Sequence, residues 1–183
     1  MGERKSMKKG MIRLLRPTNA KMTVLWMGII FLMSATAGPE SDQQSGIIVD
    51  FLLLFLNPIL DGMDPSLRLS VIGALPMIVR KAAHMTEYAV LAVLACRTIL
   101  DRIRERKMEE QSVSLRYEAA LLVSVFYACT DEFHQTFVAG RAGCVQDVLI
   151  DASGACAGLL VWYLHERRSV RMMKSGSASR IHA

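Results

Sequence analysis

Four stretches of the chain are apolar enough to lie in a membrane, and polar or charged positions fall between them in a regular way. They cover residues 22 to 37, 88 to 100, 119 to 130 and 148 to 164, the second interrupted by Arg97 and the fourth only by Asp151. The first and fourth reach about 24 to 26 Å as helices, and the second and third reach that length only with charged flanks such as His84 and Glu87, or Arg116 and Glu118, at the interface. All fall slightly short of a hydrocarbon core of about 30 Å, so flanking polar residues must complete each span. A further apolar run, 47 to 60, carries Asp50 and ends at Asn57-Pro58. Its fourteen residues are too few to cross, and the pattern predicts an interfacial or re-entrant segment in the first loop. The stretch 69 to 100 would be about 48 Å long as one straight helix, which predicts a bend or an interfacial part, with a boundary near Arg80 and His84. The expected fold is therefore all-α: a four-helix transmembrane bundle, spanning 22 to 164, between basic arms at 1 to 21 and 165 to 183.

Composition agrees, since 52% of residues are hydrophobic and 21% charged, an oily balance for a soluble domain of this size. The net charge of +5 is read by position. Of 22 Lys and Arg residues, seven precede the first span, six surround the second loop and five lie in the tail; only Arg68, Arg80, Lys81 and Arg141 fall elsewhere. That bias predicts a multi-pass protein of the cell membrane with both termini cytoplasmic, and contact with anionic lipids rather than nucleic acid. Residues 35 to 38, Ala-Thr-Ala-Gly, also fit a signal-peptide cleavage site, but an uncleaved first span keeps the basic tail on the same side as the other basic loops. Cys96, Cys129, Cys144 and Cys156 show no metal-binding spacing and read as small packing residues, although Cys129 and Cys144 both fall toward the outer side and a bridge between them stays open.

Chemistry concentrates at the ends predicted to face outward. A charge at membrane depth costs about 2.5 to 3.5 kcal/mol, so the groups that persist there call for a use. Arg80, His84, Glu87 and Tyr88 share a helix face, with Lys81 beside them. Asp131, His134 and Gln135 share another, with Glu132 pointing elsewhere. Two adjacent carboxylates at a helix C-terminus want a cation, either Arg80, Lys81 or Arg141 or a divalent metal. The glycines flanking Arg141 would let it fold over the site and grip a phosphate or carboxylate. Asp147 stands where a cap would, and Asp151 lies one turn inside the apolar run, facing the bundle. Gly154-x-x-x-Gly158 reads as a close-packing face.

At Arg80-Lys81-x-x-His84-x-x-Glu87-Tyr88, Tyr127-Ala-x-x-Asp131-Glu132-x-His134-Gln135-x-Phe137 and Gly140-Arg141-x-Gly143-x-x-x-Asp147-x-x-x-Asp151-x-x-Gly154, together with Ser34, Ser41 and Ser45, the chain resembles the VanZ-like family of small bacterial membrane proteins, named for a protein associated with teicoplanin resistance. The resemblance implies a place in the bacterial cell envelope. Residues and resemblance together admit two main readings, beside a proton- or ion-coupled carrier for which four short spans leave little room. In one, an outer pocket binds and modifies a phosphate-bearing intermediate such as a polyprenyl-phosphate-linked cell-wall precursor: Arg80, Lys81, Tyr88, Gln135 and Arg141 hold it, His84 and His134 serve as acid and base, and Glu87, Asp131, Glu132, Asp147 and Asp151 orient them or bind metal. In the other, the cluster is the binding surface of a non-enzymatic glycopeptide-resistance or scaffold protein.

Overall fold

A computed structural model describes residues 18 to 36, 38 to 108 and 111 to 181; the basic arm expected over residues 1 to 17 lies outside the described residues. The described chain is all helical: α1 (Asn19–Ser34), α2 (Gly38–Leu60), α3 (Pro65–Glu105), α4 (Gln111–Gln135) and α5 (Val145–Ile181). Three of these, through Gln43–Leu60, Pro65–Glu105 and Val145–Ser169, are long and apolar enough to cross a membrane, and α1 is a shorter apolar helix of 16 residues. In α4 the uncharged stretch runs only from 119 to 130.

The first loop differs from the sequence reading. Its apolar run belongs to a 23-residue helix that starts at Gly38, because the neutral polar residues Gln43, Gln44 and Ser45 join the same helix and extend the apolar window to 18 residues. The stretch predicted to bend is one continuous helix of 41 residues, roughly 62 Å, with Pro76 inside it. Asp64 caps its start, its side chain accepting from the Ser66 N–H at 2.9 Å; the Ser66 hydroxyl and N–H hold the Asp64 carboxyl below its ordinary range. The helix also runs on through Asp101–Glu105. It stops in a turn where Lys107 N–H bonds Arg104 O at 3.2 Å and Met108 N–H bonds Ile103 O at 3.1 Å, with Lys107 at φ 50°, the helix-ending pattern that usually takes glycine at that position. Likewise α5 continues past 164 to Ile181, so the basic arm from 165 is helical as far as it is described.

α3 packs against every other helix, whereas among the described residues α2 packs on no helix but α3. The core is built where α1, α3, α4 and α5 meet, around Ile30, Tyr88, Leu91, Ala92, Ala95, Ala120, Ala128, Ala155 and Leu159. Its alanines let the helices approach closely, and the approach is tightest between α3 and α5. A Cβ at Gly154 would lie 2.7 Å from Met85 Cα, and one at Gly158 2.8 Å from Ala89 Cα, so both positions require glycine. Cross-links fix the order of ends. Asn19 Nδ2 donates to Asp101 Oδ2 at 2.7 Å, Thr23 and Thr98 hydroxyls meet at 2.9 Å, and Arg116 pairs with Glu166. The start of α1, the end of α3, the start of α4 and the later part of α5, with their basic residues, therefore share one end of the bundle. The outward faces carry Val24, Leu32, Leu122, Phe126, Leu149, Leu160 and Val161, all exposed, as expected of a surface solvated by lipid rather than water.

Candidate functional site

The opposite end is where α3 leaves the bundle to pair with α2, and here the ionisable side chains gather. Gly38 N–H donates to Ala139 O at 3.1 Å, which ties the start of α2 to the loop after α4. A Cβ at Gly38 would collide with the Gly140 backbone. Gly140 itself takes φ 73°, a left-handed conformation that glycine adopts without cost, and the turn returns Arg141 to the centre. Arg141 Nε donates to Thr36 O at 3.0 Å and its Nη1 lies 3.4 Å from Gln135 Oε1.

Two small clefts result. One, of about 90 Å³, is walled by Ser34, Ser41, Gln44, Ser45, Arg80, His84, Glu87 and Arg141; the other, of about 130 Å³, by Gly38, Arg80, His84, Gln135, Arg141 and Asp147. Arg80, His84 and Arg141 line both. At about 30 Å³ per water, each cleft has room for a few waters or one small polar group.

Beneath the clefts lies a layer of carboxylates. Asp151 is fully buried and Asp131 is 3% exposed. Asp131 Oδ2 accepts from Gln135 Nε2 at 3.2 Å, Ser34 lies beside it, and its Oδ1 has no hydrogen-bond partner. His84 Nδ1 stands 3.7 Å from Asp151 Oδ1, a charge-pair distance rather than a hydrogen bond, and both Asp151 oxygens are otherwise unbonded. Glu132, also buried, accepts from Cys144 N–H at 2.9 Å through Oε2. It thus closes the loop leading into α5. Buried acceptors left open are costly, and Asp131 Oδ1, Glu132 Oε1 and both Asp151 oxygens accumulate here.

The remaining sequence-derived residues fall around this centre. Lys81 is turned to Asp147 and pairs with it, lining neither cleft. Tyr88 is fully buried in the core, its ring 6.3 Å from Tyr127, and likewise lines neither cleft. His134 stacks on Phe31 at 4.5 Å between ring centres and is absent from the cleft walls. Of the two imidazoles, then, the clefts contain His84 alone. Gln44 was missed by the sequence reading, although Ser41, Gln44, Ser45 and Ile48 follow helical i, i+3, i+4, i+7 spacing. Among the described residues no group of three or more His, Cys, Asp or Glu side chains is disposed to hold a metal ion. All four cysteines are free.

The family model VanZ/LLP1 matches residues 21–166. The chain belongs to the VanZ family. The match takes in α1 from Lys21 onward, α2 to α4, and α5 as far as Glu166, and so both clefts and the carboxylate layer beneath them. Neither a curated protein nor a solved structure matches the chain. Family membership and three helices of membrane-crossing length and composition make this a membrane protein.

Proposed function

We propose that this VanZ-family protein is a multi-pass protein of the bacterial cell envelope whose outer recess binds the phosphate of a lipid-linked envelope intermediate. In this reading α1, α4, α5 and the later half of α3 form a four-helix bundle across the membrane. The basic ends are cytoplasmic, and the hairpin of α2 with the first part of α3 stands at the outer side. The observation that carries the reading is that Arg80, His84 and Arg141 line both clefts. Two guanidiniums and an imidazole around a small polar space suit a phosphate, and the Ser41 hydroxyl adds a donor, the Ser45 hydroxyl being given to Ser41 O. With Asp151 beside Nδ1 of His84, Nε2 is the nitrogen left for a ligand, which equips His84 for proton transfer to a bound phosphate ester.

The test is a lipid inventory of the detergent-purified protein and of Arg80→Gln, His84→Ala and Arg141→Gln variants. A phosphate-bearing lipid retained by the parent and lost from both arginine variants is the expected result. Retention by all three variants of as many phosphate lipids per protein as the parent holds would overturn the reading and leave the non-enzymatic scaffold in its place.

A further inference from the structure

A second recess lies away from the outer site, along the seam of α3 and α5. Because Gly154 and Gly158 draw the two helices together, their flanks form an open groove of about 630 Å³ with apolar walls, among them Ala89, Val93, Ala157 and Val161. Toward the basic end of the bundle it meets a second pocket of about 500 Å³, and the two share Trp162 and His165. The second pocket carries charge on a largely apolar lining: Arg104, Lys107, Arg116 and Glu166 lie on it beside Leu100, Ile103 and Met108. Glu166 is bonded to both Arg116 and Tyr117, so its charge is already matched. Arg104 and Lys107 are exposed at the mouth, and Arg97 lies over the Trp162 ring at 5.4 Å. The Trp162 indole Nε1–H is buried and has no acceptor.

We propose that this seam is a binding site for an anionic phospholipid, one acyl chain in the α3–α5 groove and the phosphate at Arg104 and Lys107. The occupant follows from the order of its parts. An apolar channel about 12 Å long, Ala157 to His165 at 1.5 Å per residue, opens onto an amphipathic Trp and then onto a net positive pocket, the sequence of environments met from the tail to the head of a lipid. The combined space is of the size that holds a lipid-sized ligand. Lys107 adds an independent point. It occupies, at φ 50°, the helix-ending position where glycine would be unstrained, and its charge falls at the pocket.

Native mass spectrometry of the full-length purified protein, titrated with phosphatidylglycerol or phosphatidylcholine, tests the site. Phosphatidylglycerol should bind at least tenfold more tightly. An Arg104→Gln, Lys107→Gly double variant should lose roughly tenfold to thirtyfold in that affinity, at a few-fold per basic group, while its lipid-free melting temperature holds or rises because the strained turn is relieved. Val161→Trp, which fills the groove from an exposed position, should abolish binding, whereas Val123→Trp on exposed α4 should not. Equal affinity for the two lipids, unchanged binding in both the double variant and Val161→Trp, or an equal loss in Val123→Trp would overturn the proposal. The outer-recess reading is probed by Arg80 and Arg141 instead, so either can fail alone.

Discussion

His84 and Asp151 approach to 3.7 Å because the helices that carry them touch backbone to backbone at Met85 and Gly154. Side-chain chemistry at the recess is therefore set by glycine packing just below it. Asp151 has no room to withdraw, since it is fully buried.

Substitution at that contact should be destabilising. Gly154→Val and Gly158→Val force a side chain into the Met85 and Ala89 backbone and should cost about 1 to 3 kcal/mol each, with Ala substitutions milder. Thermal unfolding in detergent, followed by loss of the monodisperse chromatographic peak, checks this; a Gly158→Val protein as stable as the parent would contradict the close contact.

At the other end, Arg116 is buried and bonded to both Glu166 and Tyr117. Glu166→Ala leaves that guanidinium without its counter-charge and should cost about 3 to 5 kcal/mol, whereas replacing the pair together, Arg116→Met with Glu166→Leu, should cost much less than the sum of the single changes. A double-mutant cycle on unfolding midpoints measures the difference. Additive effects would mean that the pair is uncoupled.

Lys81 and Asp147 are each about one-third exposed, so their pair should contribute little. Lys81→Met is expected to change stability by under about 1 kcal/mol and to leave phosphate-lipid retention intact, in contrast to Arg80→Gln one residue away. Equal loss of lipid in both variants would show that the recess is wider than its two clefts.

Orientation in the membrane can be read with a thiol reagent that does not cross it. With the other cysteines replaced by Ala or Ser, Cys144 beside the recess should label on intact cells, and a cysteine at Ser169 only after the cells are opened. The reverse pattern would place the recess on the cytoplasmic side and exclude an outer-leaflet ligand.

Much of this was legible in the residues alone. Helical spacing put Arg80, His84 and Glu87 on one face, and the four-residue repeat of Gly154 and Gly158 announced the contact that positions α5. Periodicity describes one helix at a time, and the readings that changed depend on two. Lys81 is off the shared face, and its partner Asp147 lies 66 positions away. Glu132 is aimed at a backbone N–H across a loop, and the burial of Tyr88 depends on where α4 brings Tyr127. The length of α2 escaped because Gln43, Gln44 and Ser45 look like loop by polarity, although they are neutral and join a helix readily once Gly38 is anchored to Ala139.

The unbroken course of α3 has a mechanical corollary. One rod carries Leu91 and Ala95 in the bundle, Arg80 and His84 at the recess, and the partner surface of α2 beyond. A shift of α2 against that rod would therefore carry Ser41 and Ser45 past Val79 and Arg80, and anything that grips α2 from outside would open or narrow the cleft between them.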